Sequence, residues 1–179
     1  MNVKRFVAAM GCLLLTGLAW SQGWHDAEGR PMPDTPSRRA VSGFGGWVIT
    51  TADPDWAKKW EAGPQSIPPF NEVKALKRGV TAYTLIFFAN AKETRQSAVK
   101  LACDIKVTRP DGSESFSEEN VECFDGKLRG PRGAMSLAVP VISFLGEPDD
   151  PAGLWRVDVV LRDTVGKVEL KLRSSFTLE

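Results

Sequence analysis

At 179 residues, with 42% hydrophobic and 25% charged side chains, the chain has the length and apolar content for one domain with a sizeable core. A formal net charge of +1, with the signs interspersed, argues against nucleic acid or an anionic membrane surface as partner. Three cysteines and a single histidine leave a thin inventory for nucleophilic or metal chemistry.

The N-terminus reads as an export signal. Lys4 and Arg5 form a basic n-region, Phe6–Leu18 is an apolar run too short to span a bilayer, and the small residues Ala19 and Ser21 suit a cleavage site. Cleavage is expected after Ser21, with Ala19 as the alternative. It removes the first 21 of 179 residues and leaves 158, and because it takes Lys4 and Arg5 and no acid, the net charge of +1 becomes −1. No second apolar run is long enough for a transmembrane helix. Cys12 lies inside the apolar run without the leucine expected three positions before a lipidated cysteine, so it leaves with the signal. Cys103 and Cys123 remain, and an even count in an oxidising compartment predicts a disulfide.

The segment 22–42 follows, rich in Pro, Arg, Gly and Asp. Pro31, Pro33 and Pro36 remove three backbone donors, which predicts a flexible leader. The folded domain is expected over 43–179. Phe44–Thr51 reads as its first strand. Residues 54–61 read as a short helix, with Asp53 as N-cap and Pro54 at the first helical position. Val80–Asn90 is a strongly apolar strand. Val99–Thr108 alternates with period two and puts Cys103 on the core face. Pro110-Asp111-Gly112 supplies turn chemistry and Ser113–Ser117 begins the return. Met135–Leu145 is a strand interrupted by Pro140, which signals an edge or a bulge. Residues 155–161 and 168–178 alternate on either side of the turn Asp163–Gly166, as a long antiparallel hairpin with one wet face. About eight strands and one helical turn predict an all-β sandwich.

The two cysteines are centred on residue 113, beside the 110–113 turn. They should therefore face each other across one hairpin, with the polar run Ser117–Asn120 as the place for a bulge. Closing a loop of this size is worth roughly 3 kcal/mol in chain entropy.

The end of the chain resembles the closing hairpin of immunoglobulin-like sandwiches. The residues that carry the resemblance are Asp149-Asp150-Pro151, Gly153, Trp155, the alternating run to Arg162, Asp163, Gly166, and Val168–Leu178. Trp155 stands where many such domains have a corner tyrosine. The resemblance covers about 30 residues and implies an Ig-like sandwich of an exported bacterial protein. A cysteine spacing of 20 departs from the antibody-type bond between sheets. The fold implies no activity.

The catalytic inventory is short. His25, the one histidine, lies in the leader, so no positioned base is available for a Ser-His-Asp or Cys-His device. No G-x-S-x-G, H-E-x-x-H or P-loop pattern occurs. Gly43-Phe44-Gly45-Gly46 precedes a strand and lacks a lysine, unlike a phosphate cradle. The acid pairs Asp53/Asp55, Glu118/Glu119 with Glu122, and Asp149/Asp150 read as caps and solvated corners before they read as a glycosidase pair or a Ca²⁺ site. An amino-terminal copper site at Gly23-Trp24-His25 would need a different cleavage point.

Tryptophan is the better lead. Trp47 and Trp155 are expected in the core. Trp56 and Trp60, four apart, share one helix face, beside Lys58 and Lys59. That face would plug an open end of the sandwich, or else form an aromatic platform for a sugar or a protein partner, which Trp24 could join. Together these features predict an exported, non-enzymatic envelope binding or accessory protein with no cofactor and no metal. It would be periplasmic or secreted, with a protein or glycan partner. The alternatives are a carbohydrate-binding module using exposed tryptophans, and a periplasmic chaperone or subunit acting through an edge strand.

Overall fold

A computed structural model describes residues 23–25, 28–62, 70–130 and 133–179. The predicted export signal, 1–21, lies outside the described residues. The chain runs β1 (Trp24–His25), β2 (Pro31–Met32), β3 (Arg38–Val41), β4 (Phe44–Thr51), α1 (Trp56–Ala62), β5 (Ala75–Leu76), β6 (Thr81–Ala89), β7 (Val99–Thr108), β8 (Glu114–Gly126), β9 (Ser136–Leu137), β10 (Ile142–Leu145), β11 (Gly153–Asp163) and β12 (Val168–Leu178). Eight of these strands have four residues or more, matching the expected number; β1, β2, β5 and β9 have two each.

The fold is an all-β sandwich. One sheet has the order β10-β6-β4-β3, with β9 also on β6, and the other has the order β5-β12-β11-β7-β8. The pairs are antiparallel except β5 with β12, and the β1–β2 hairpin stands apart. Between the sheets, Phe44, Val48, Ile86 and Phe88 meet Cys103, Val159, Leu161, Leu170 and Leu172. Gly46 lets the sheets approach: a methyl there would lie 2.9 Å from the side chains of Leu170 and Leu172. Trp155 is fully buried, its indole N–H donates to the Pro151 carbonyl at 3.0 Å, and its ring centroid lies 4.7 Å from that of Phe144.

The C-terminal hairpin forms as the alternation predicts, Trp155 pairing Phe176 and Leu161 pairing Leu170. The cysteine hairpin forms too. Cys103 and Cys123 are bonded across β7 and β8 with Cα atoms 5.7 Å apart. Three register shifts shape that ladder, the one nearest the turn falling between Val107 and Thr108. Leu101 faces Phe124 and Ala102 faces Glu122, which leaves Cys123 as the extra residue. A second shift follows between Cys103 and Ile105, where Asn120 adopts φ 55° and its N–H donates to Asp104 at 2.9 Å. Pro140 separates β9 from β10 along β6, as its missing donor requires.

The leader corrects the sequence expectation. Residues 38–41, expected to be flexible, pair with β4 as an edge strand. The prolines do not prevent this because their carbonyls still accept: Pro36 takes the N–H of Arg173 at 2.7 Å. The helix begins at Trp56, after a turn at residues 54–55, so it starts two residues later than expected. Asp53 caps it, accepting the Asp55 N–H at 3.1 Å. A salt bridge from Lys59 holds the Asp53 carboxyl below its ordinary value.

Candidate functional site

The sheet containing β4 and β6 is buried on both faces. Along β4, Phe44, Gly46, Val48 and Thr50 point to the opposite sheet, so Gly45, Trp47, Ile49 and Thr51 point outward. Register aligns Trp47 with Phe87, Ile49 with Leu85 and Thr51 with Tyr83. The outer face is therefore apolar, which is why residues 83–88 read as a continuous run and not an alternating one.

Helix α1 covers that face. Trp56 lies 6.1 Å from Tyr83 and Trp60 lies 5.3 Å from Phe87, between ring centroids. Phe70 stacks on Phe87 at 6.0 Å, and Met135, Leu137 and Val141 complete the cluster. This replaces two expectations. The tryptophan face of the helix covers a sheet face and does not plug an end. Trp47 belongs to this outer layer, half-buried, and not to the core between the sheets, with the Arg38 guanidinium 5.8 Å over its ring. Trp24 joins the same face. Its indole N–H donates to the Arg39 carbonyl at 3.0 Å, and a methyl on Gly45 would come 2.8 Å from its ring. The Gly43–Gly46 stretch is thus a steric accommodation on both sides of β4. Four tryptophans from separate parts of the sequence gather on one surface, and all four are half-buried.

Beside this layer lies a cleft of about 350 Å³. Trp60, Met135 and Leu137 line it from the outer layer; Phe124, Asp125, Lys127 and Arg129 line it from the end of β8 and the loop beyond. Trp56 and Trp24 are not among its lining residues. Asp125 is held by Lys100 at 2.7 Å, and that contact keeps the Lys100 ammonium above its ordinary pKa. Among the described residues Lys127 and Arg129 have no ion-pair partner, so the cleft carries an excess of positive charge. Sequence reading missed these two residues. The signal was present in the basic, Gly/Pro-rich sequence Asp125-Gly-Lys-Leu-Arg-Gly-Pro-Arg-Gly133.

Of the remaining acidic candidates, Asp53 is held by Lys59, Asp55 lies beside Lys58 and Asp150 closes a turn. Asp150 accepts the Glu147 N–H at 2.9 Å, as a turn cap. Among the described residues no three His, Cys, Asp or Glu side chains converge as metal ligands. None of the described helices is long and apolar enough to cross a membrane.

No protein-family model matches the chain, and no curated protein matches it. Solved structures match parts of the chain at low identity and with TM-scores below 0.5. A family 123 glycoside hydrolase from Clostridium perfringens is 8% identical over 75% of this chain, with a TM-score of 0.41. This chain spans 27% of that enzyme's length. A CARDB domain from Pyrococcus furiosus, solved with di-metal ions, is 9% identical over 83% of this chain and 99% of its own, with a TM-score of 0.40. A Niemann-Pick type C2 protein from the Japanese carpenter ant is 9% identical over 74% of this chain and 89% of its own, with a TM-score of 0.39. Likenesses this weak say nothing about what the chain does.

Proposed function

We propose that the chain is an exported, non-enzymatic binding or accessory protein of the cell envelope, built on an Ig-like sandwich. The observation that carries the binding reading is the cleft beside Trp60, where a half-buried indole, apolar side chains and two cations without an ion-pair partner among the described residues meet in one concavity. The disulfide between fully buried cysteines supports an oxidising compartment. The use of the ionisable groups supports binding over catalysis. Asp163, the one buried carboxylate among the described residues, accepts three backbone N–H groups, and Asp104 is bonded to Arg162. His25 sits exposed on β1. The Trp155 indole bonding back to Pro151 supports the Ig-like kinship, since it does what a corner tyrosine does in such domains.

The edge-strand alternative has its own observation. Val139 is 73% and Leu145 51% exposed, the first just before β10 and the second within it, and β10 is an outermost strand of the sheet that contains β4 and β6. β8, the edge of the other sheet, carries Glu114, Glu118, Glu119 and Glu122, charges that discourage unspecific pairing.

Fractionation by osmotic shock, with thiol labelling of the denatured protein, tests the proposal. We expect a periplasmic product shortened by the signal, with Cys103 and Cys123 unreactive, that is retained on isolated envelope material. A cytoplasmic product in which Cys103 and Cys123 are free thiols, or turnover of an envelope polymer by the purified protein, would overturn it.

A further inference from the structure

We propose that the cleft beside Trp60 binds an acidic carbohydrate, a uronic-acid sugar whose ring lies against Trp60 and whose carboxylate is taken by Arg129 and Lys127. The inference rests on the reading of the chain as an exported binding protein, and it names the class of ligand.

Three features of the cleft lead there. The first is size and shape: about 350 Å³ lies at the lower end of the range for small-ligand pockets, enough for a sugar unit and too little for a folded partner. The second is the apolar wall. Trp60 rests against Phe87 and also lines the cleft, next to Met135, Leu137 and Phe124. The C–H face of a sugar ring is apolar and flat, and an indole offers it a large contact area with few torsions to freeze. The third is charge. Lys100 neutralises Asp125, while Lys127 and Arg129 are left over. A neutral sugar would leave both cations without a use. A carboxylate beside the stacked ring meets the planar guanidinium as a bidentate acceptor and the ammonium as a point charge.

The same chemistry separates the ligand from its rivals. Nucleic acid needs a row of cations matched to successive phosphates, and the described residues that line the cleft supply two. An acidic peptide shares the carboxylate but lacks the flat apolar ring, so it would use Arg129 and gain little from Trp60.

The test is binding followed by tryptophan fluorescence and calorimetry on the purified protein. The probes are tetrasaccharides of galacturonate, mannuronate, guluronate and hyaluronan, with cellotetraose as the neutral control and tetraglutamate as the acidic peptide. At least one uronate probe should bind and change the tryptophan signal, and cellotetraose should bind at least tenfold more weakly. Arg129→Gln, an exposed substitution that leaves the packing alone, should weaken that probe about tenfold. Trp60→Phe should weaken it similarly. Lys127→Gln should reduce the salt dependence of binding. Equal binding of cellotetraose overturns the inference, as does tighter binding of tetraglutamate. Lack of any uronate binding by protein shown to be folded overturns it as well. Periplasmic recovery and envelope retention with none of the uronates bound would sink the sugar and leave the binding-protein reading standing. A cytoplasmic, reduced protein would sink both.

Discussion

Asp163 closes β11, is 2% exposed, and gathers the N–H groups of Lys92 at 2.7 Å, Val165 at 3.1 Å and Gly166 at 2.7 Å. One carboxylate thus fastens the β11–β12 turn to the loop after β6. Gly166 must be glycine here, because a methyl would collide with that carboxylate. Asp163→Asn replaces one acceptor oxygen by a donor that faces other donors. We expect a loss of about 2–3 kcal/mol, seen as a lower urea midpoint at unchanged m-value. Asp104 acts in a different way. The Arg162 guanidinium, helped by the Asn120 N–H, lowers its pKa from 3.8 to about 2. The folded value lies below the unfolded one, so the contribution is fully present above the unfolded pKa and is lost as pH falls through 4 towards 2. The two side chains are 32% and 25% exposed, so solvent screening holds the effect to about 1 kcal/mol. Stability measured from pH 6 to pH 2 should fall less steeply in Arg162→Gln than in the native protein. An identical slope in the two would show that the pair contributes nothing.

At the scale of elements, the β7–β8 hairpin shows how far a sequence can be read. Alternation from Val99 to Val107, the turn at Pro110–Gly112 and the symmetry of the two cysteines about that turn are enough to locate the bond. The same reading marked 117–120 as the place for a bulge, and one lies at Asn120. It did not foresee the bulge at Cys123 itself, which turns on backbone register and leaves no compositional mark. The strand at Arg38–Val41 escaped because prolines advertise flexibility while only their missing donors matter, and an edge strand needs few donors. β8 has 13 residues, of which Glu114–Asn120 are exposed, so little apolar burial holds its outer half in place. The disulfide supplies what burial does not. Cys103→Ala with Cys123→Ala should cost about 3 kcal/mol from the freed chain entropy. Hydrogen exchange should rise first along β8, while β11 and β12 stay protected.

For the molecule as a whole, period-two alternation and hairpin turns were enough to give a sandwich, because each half-buried strand declares which face is wet. What alternation could not declare is a second covered face. The run at residues 83–88 shows only that β6 is apolar on both sides, and the spacing of Trp56 and Trp60 shows only that they share a helix face. Neither says that the two meet. The cleft was out of reach for the same reason, since Trp60 and Arg129 are brought together by tertiary packing alone. The consequence is a sandwich with two apolar layers, one between the sheets and one outside, and the outer layer turns on Phe87. That ring is fully buried, with Trp60 at 5.3 Å, Phe70 at 6.0 Å and Trp47 at 6.3 Å. If α1 were a loose lid, Phe87→Ala would expose little and cost about 1 kcal/mol. If the outer layer is a second core, the cavity cannot collapse, because three aromatic rings are held by separate elements. The cost should then reach about 3–5 kcal/mol, equal to or above that of Leu161→Ala between the sheets. Chemical denaturation separates the two cases. Tryptophan fluorescence reports chiefly on the outer layer and far-ultraviolet circular dichroism on the strands. We expect coincident transitions in the native protein and an earlier fluorescence transition in Phe87→Ala, as the outer layer uncouples from the sheet beneath it.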